Sequence, residues 1–126
     1  MGKLIFAVDD SKTVRASLKY TLEKNNYEVM LAENGAEGVE LLEGLEAKGQ
    51  KPAMIITDIN MPKMDGISFI KEVKKMSAFK FLPILVLTTE SQESKKMEGK
   101  KAGATGWLVK PFKPEQLINV VQKLAK

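Results

Sequence analysis

Short apolar runs alternate with helix-patterned stretches from one end of this chain to the other, and that alternation leaves little choice of fold. Residues 4–8, 54–57, 84–87 and 107–109 form nearly continuous apolar runs rich in β-branched side chains. Runs of this kind mark strands buried on both faces, as in a parallel sheet. Residues 28–32 read as one more strand. Between the runs, Val14, Leu18 and Leu22 recur at helical spacing within residues 11–25. Asn34 with Glu37 three residues on is a helix-start signal, and Val39, Leu42 and Leu45 follow as an apolar face. Gly38 and Gly44 weaken that helix by about 1 kcal/mol each relative to Ala, and Pro52 ends the connection to the next strand. Asp65 is placed to cap a third helix bearing Ile67, Ile70 and Val73. Ser91 is placed to cap a fourth that reaches about Gly103. Pro114 suits the first turn of a fifth, whose buried stripe is Leu117, Val120, Val121 and Leu124. Over 126 residues this pattern predicts one α/β domain built from a five-stranded parallel sheet and five helices.

Each of the four runs ends on a reactive polar residue. Asp9 and Asp10 follow the first, Asp58 the second, Thr88 the third and Lys110 the fourth. In an open parallel sheet, ligands bind outside the carboxyl ends of the strands, so three carboxylates, a hydroxyl and an ammonium are expected on one edge. Carboxylates crowded together repel and resist ionisation. A hard divalent cation such as Mg²⁺ resolves this, because it takes oxygen ligands and pairs carboxylates with a substrate phosphate. Helix capping by Asp10 is the ordinary alternative, but it accounts for one carboxylate of the three. Asp58 is the candidate nucleophile, since a carboxylate can be phosphorylated directly. Lys110 would pair with one phosphoryl oxygen and Thr88 would donate to another. Taken singly, Thr88 is an ordinary strand residue and Lys110 an ordinary loop lysine; together, the strand ends favour phosphoryl transfer.

Composition narrows the chemistry further. With no cysteine and no histidine, disulfides, thiolate metal sites and histidine-based catalysis are excluded. No apolar stretch approaches a membrane span, no signal-peptide core is present, and Phe6 breaks the myristoylation pattern. A cytoplasmic protein without membrane insertion is expected. The net charge of +4 comes from lysines scattered over predicted helices, among them Lys71, Lys74, Lys75, Lys95, Lys96, Lys100, Lys101 and Lys123. They are not interleaved with stacking aromatics, so a solvated face is expected and nucleic-acid binding is not.

The chain resembles the receiver domain of two-component response regulators. The likeness rests on Asp9-Asp10, on Asp58-Ile59-Asn60-Met61-Pro62-Lys63-Met64-Asp65-Gly66, on Thr88 and on Lys110-Pro111-Phe112. It covers residues 1–126, and no output domain is expected after the last helix. A stand-alone receiver is therefore expected, similar to the chemotaxis (CheY-like) subgroup, which Asn60 and Glu90 also match. The resemblance implies a flavodoxin-like fold with strand order 2-1-3-4-5. It implies Asp9, Asp10 and Asp58 as ligands of Mg²⁺ or Mn²⁺, with the Asn60 backbone carbonyl as a further one, and a cis bond before Pro111. Asp58 would take a phosphoryl group from a CheA-like sensor histidine kinase or a small acyl phosphate. The face of helix 4, strand 5 and helix 5 would then change its affinity for a target, such as a flagellar motor switch. Asn60 and Glu90 would govern water attack on the phosphoaspartate, with a separate phosphatase as a further partner. The protein would be a monomeric phosphoacceptor rather than an enzyme. Outside chemotaxis, the same chemistry would serve a phosphorelay intermediate, a phosphate sink or an adaptor.

Two departures from the family pattern stand out. Trp107 holds the place of a switch aromatic that is more often Tyr or Phe, and its bulk implies an incomplete inward swing behind Thr88. Thr89 is larger than the Ala or Gly common there, which implies narrower access to Asp58. The fourth helix offers only Met97 and, as a minor contact, Ala102 for burial, so it is expected to be weakly held. An aspartyl-phosphate phosphohydrolase is the competing enzyme reading, but Asn60 lacks the second carboxylate it needs. A flavin-binding domain is disfavoured because Asp9-Asp10-Ser11 replaces a phosphate-cradling loop.

Overall fold

The structure is a computed structural model and describes residues 2–89 and 95–125. Strands β1 (Leu4–Val8), β2 (Glu28–Ala32), β3 (Met54–Asp58), β4 (Ile84–Thr88) and β5 (Gly106–Val109) alternate with five helices. These are α1 (Lys12–Lys24), α2 (Gly35–Ala47), α3 (Gly66–Lys75), α4 (Lys95–Ala102) and α5 (Pro114–Leu124). All strand pairs are parallel, in the order β2-β1-β3-β4-β5. The expected doubly wound, flavodoxin-like topology is what forms. Its switch point lies between β1 and β3, where the chain leaves one half of the sheet for the other.

Successive strand residues face opposite sides, and the two cores follow that rule. Phe6, Val8, Ile55, Ile84 and Val86 meet Leu42 and Leu45 of α2 and Phe69, Ile70 and Val73 of α3. Ile5, Ala7, Ile56, Leu85 and Leu87 meet Leu18 and Leu22 of α1 and Leu117 and Val121 of α5. Each such side chain contributes about 1.5–3 kcal/mol on burial. The sheet is thus clamped from both sides while its carboxyl edge stays open.

The caps agree with the sequence at two helices and shift at one. Asn34 Oδ1 accepts from Glu37 N at 2.9 Å and Asp65 Oδ1 from Ser68 N at 2.8 Å. At α1 the cap is Ser11, whose Oγ accepts from Val14 N at 3.2 Å; Asp10 does not cap and is left exposed. Pro114 opens α5 as expected, and the Gln116 side chain accepts from Lys113 N at 2.9 Å. Ser91 lies outside the described residues. Met97 is 63% exposed, so it does not anchor α4 as the sequence pattern suggested. Contact comes instead from Ala102 and from Gly99, which is buried against the Trp107 ring. No helix among the described residues is long and apolar enough to cross a membrane.

Gly38 has a packing reason that outweighs its cost in helix propensity. A β-carbon there would sit 2.8 Å from Phe69 Cε1 and 3.2 Å from Val8 Cγ2, so the glycine lets α2 approach the sheet. Gly44 meets nothing and is exposed.

Candidate functional site

The first residues past β1, the last of β3 and β4, and the first past β5 meet at the carboxyl edge, as the strand-end pattern predicts. Asp9 is wholly buried, and Asp58 and Thr88 are buried too. Asp10 is exposed at the rim. One carboxylate oxygen from each of Asp9, Asp10 and Asp58 falls within 4.8 Å of the others. Lys110 Nζ reaches between two of them, 3.0 Å from Asp9 Oδ2 and 3.3 Å from Asp58 Oδ1. Thr88 joins this group through the backbone: its carbonyl accepts from Lys110 N across the β4–β5 ladder. The Lys110-Pro111 bond is cis.

The carboxylates are held individually. Asp9 Oδ1 accepts from Ser11 N at 2.9 Å, and Asp58 Oδ1 from Ile59 N at 2.8 Å. Burial first, and then the charge of Asp9, push the Asp58 carboxyl up to about 6 from an ordinary 3.8, despite the opposing pull of Lys110. Burial works against the Lys110 ammonium, but contact with Asp9 and the charge of Asp58 more than offset it, so its pKa is raised. Lys110 is therefore a permanent cation at neutral pH, set among more negative charge than it can neutralise.

That surplus is the test of whether a divalent cation fits. Asp9 Oδ2 is buried and, among the described residues, has no hydrogen-bond partner, although the Lys110 ammonium lies at ion-pair distance, 3.0 Å away. Three convergent carboxylates are the oxygen donors a hard cation takes. The donor set fits Mg²⁺ or Mn²⁺.

Sequence reasoning gave no role to the residues that hold these groups in place, although Gly66 stood in the motif it quoted. Arg15 Nη1 donates to the Asp9 carbonyl at 2.8 Å while Nη2 reaches Glu33 Oε1 at 3.4 Å. Thr57 Oγ1 donates to the Asp58 carbonyl at 2.8 Å. Gly66 N donates to the Ile59 carbonyl at 2.7 Å, and a β-carbon at Gly66 would collide with the Asp58 carbonyl oxygen. The signal for Gly66 was its place after the Asp65 cap, where only a hydrogen side chain allows so close a return to β3.

The remaining expected residues surround this centre. Asn60 is exposed in the bend after β3. Thr89 is exposed and borders an open groove with Val14, Lys110, Pro111 and Phe112. Trp107 is half-buried on β5 with Lys96 Nζ 5.2 Å above its ring. Glu90 lies outside the described residues.

Residues 5–122 match the family described as the response regulator receiver domain. The chain belongs to that family. This receiver is 38% identical over 127 residues to the chemotaxis protein CheY of Thermotoga maritima, each covering all of the other. It also matches the sensor histidine kinase CheAY of Helicobacter pylori at 38% identity, spanning 15% of that longer protein. Among solved structures it is similar to Vibrio cholerae CheY4, with a TM-score of 0.87 and 44% identity over 98% of this chain and 99% of that one. The receiver domain of the Pseudomonas aeruginosa sensor kinase PA1611 has a TM-score of 0.87 at 26% identity, over 99% of this chain and 98% of that one. It was solved with a magnesium ion coordinated in its active-site cleft. Relatives named CheY align this receiver with chemotaxis-type signalling. Receiver domains are phosphoacceptors that stand between histidine kinases and downstream targets.

Proposed function

We propose that this receiver takes a phosphoryl group onto Asp58 from the phosphohistidine of a CheA-like sensor kinase and thereby changes its affinity for a downstream protein. The observation that carries the reading is the position of Lys110 Nζ between the Asp9 and Asp58 carboxylates, beside a third carboxylate within 4.8 Å. Asp58 is the nucleophile. Its carboxylate forms a P–O bond as the P–N bond to the donor imidazole breaks, and the imidazole leaves with a solvent proton. Asp9, Asp10 and Asp58 would hold the divalent cation, with the Asn60 carbonyl as a further ligand. When bound, the cation neutralises the clustered carboxylates and the incoming phosphoryl charge. Lys110 supplies a second positive charge for the phosphoryl group, and the Thr88 hydroxyl donates to a phosphoryl oxygen. Asn60 and Glu90 tune water attack on the acyl phosphate.

The output follows from where these residues sit. Thr88 ends β4, which pairs with β5, and α4 packs through Gly99 against Trp107 of β5. Drawing Thr88 toward the phosphoryl group alters the face made by α4, β5 and α5. A chemotaxis circuit is the setting that the CheY-named relatives favour, and within it the family resemblance points to a cytoplasmic protein with a flagellar motor switch as its target.

Acetyl phosphate with Mg²⁺ tests the assignment. The wild-type protein should gain one phosphoryl group by intact mass, and Asp58→Asn should gain none. Labelling retained in that variant would remove Asp58 as the acceptor. Trp107, the sole tryptophan, should report metal and then phosphodonor as two separate fluorescence changes.

A further inference from the structure

The lysines that look scattered in sequence are gathered in space. Residues 61–101 carry nine lysines against five acidic residues, while the rest of the chain has eleven basic and eleven acidic ones, so the whole net charge of +4 belongs to this stretch. Helices α3 and α4 lie side by side within it. Between them runs a groove of about 440 Å³ continuing into a second of about 410 Å³, and Lys71 and Lys101 line both. Both lysines are exposed. Among the described residues, neither has a carboxylate at ion-pair distance. The two carboxylates on these walls are already engaged, Glu72 by Lys75 at 3.0 Å and Glu98 by Lys95 at 3.6 Å. Lys74 Nζ is occupied by the carbonyls of Lys80 at 2.9 Å and Leu82 at 3.1 Å.

Helix-dipole compensation accounts for lysines in a last turn, such as Lys74, Lys75, Lys100 and Lys101. It does not account for Lys71, which sits mid-helix facing Lys101 across a groove. Two unpaired ammoniums on opposite walls of one groove form a site for negative charge. We propose that the α3–α4 groove binds a glutamate- or aspartate-rich segment of a partner protein.

The chemistry of the walls selects this occupant. No aromatic side chain lines either part of the groove, so nucleic-acid bases have nothing to stack on. No arginine lines the groove to fork onto phosphate; lysines serve as mobile point charges suited to carboxylates along an extended chain. Membrane docking needs apolar side chains around the charges, and here the walls offer only Ile67 and Ala102. The groove is apart from the carboxylate centre, so binding there does not depend on Asp58 chemistry.

Fluorescence anisotropy with a fluorescein-labelled oligoglutamate tests the proposal at low and at physiological ionic strength. Lys71→Gln with Lys101→Gln should weaken binding about fivefold, since two exposed ion pairs are lost. Lys48→Gln with Lys51→Gln removes the same charge elsewhere and should leave binding unchanged. Circular dichroism should show both variants folded, as all four positions are exposed. Amide shifts on adding the peptide should cluster in α3 and α4. Equal loss in both variants would reduce the effect to net charge and overturn the site. So would tighter binding of a single-stranded oligonucleotide of equal charge. Self-association at rising concentration that Glu40→Gln with Glu43→Gln abolishes would instead assign the groove to the acidic α2 of a second copy, and would equally overturn it.

Discussion

Replacing Asp58 by Asn should make the metal-free protein more stable, although it destroys the proposed acceptor. Asp58 is 5% exposed, and its carboxyl is pushed up to about 6 from 3.8 by burial and by Asp9. At about 1.4 kcal/mol per pH unit, that difference amounts to roughly 3 kcal/mol of stability withheld from the ionised protein. Water at the open strand edge screens part of it, leaving about 2 kcal/mol. Asn keeps an oxygen for the Ile59 N–H and discards the charge, so the variant should recover that amount, a rise of about 8 °C in Tm for a domain this size. The pH dependence has a definite sign. The folded pKa lies above the unfolded one, so the wild type is penalised fully above about pH 6 and regains stability as pH falls toward 3.8. The gap between the two proteins should therefore be widest near pH 8 and close below about pH 4. Mg²⁺ should narrow it from the other side, because only the wild type offers a full carboxylate set. Urea unfolding followed through Trp107, in chelator and across pH, measures all of this. An Asn variant no more stable than wild type at pH 8, or a gap that ignores pH, would refute the account of a strained carboxylate cluster.

Removing Lys110 should act in the opposite sense. Lys110→Met leaves the wholly buried Asp9 without its counter-charge and should cost about 2–3 kcal/mol at neutral pH. Adding Asp58→Asn should recover much of that loss, a coupling that a double-mutant cycle in urea would read. Gly66→Ala drives a methyl into the backbone of Asp58 and Ile59, and should lower stability by about 3 kcal/mol and slow acetyl-phosphate uptake. Lys63 holds φ at 68° in the turn after β3; Lys63→Gly should relieve that backbone and raise stability by about 0.5 kcal/mol in the same assay.

The sequence was most legible where one residue type has one physical job. Apolar runs closed by Asp, Thr and Lys located all four strand ends, because buried strands tolerate little else and the polar residue marks where the sheet stops. Asn34 and Asp65 were readable as caps for the same reason. Elsewhere the reading depended on neighbours that lie far apart in the chain. Arg15 looks like any exposed helix residue until α1 is seen to aim it at the Asp9 carbonyl. Phe69 stood outside the helical stripe read from α3, yet it is wholly buried against the Gly38 gap. Met97 was misplaced because a lone apolar residue fixes no helix phase; α4 instead turns Gly99 inward. The lysines of α3 and α4 fall thirty residues apart, and only the packing of the two helices makes a groove of them.

The contact between Gly99 and Trp107 has a consequence for how relatives of this chain can vary. A β-carbon at Gly99 would lie 3.4 Å from Trp107 Cζ3 and 3.7 Å from Ile67 Cδ1, so an alanine fits in ordinary contact and a larger side chain competes with the ring for space. The width of the aromatic on β5 and the size of the residue on α4 therefore draw on one shared volume. Chains that carry an indole at this strand position should keep a glycine or alanine opposite it. Chains with a smaller ring should be free to place a branched side chain there. The two positions should change together, as a matched pair, even though neither belongs to the carboxylate centre.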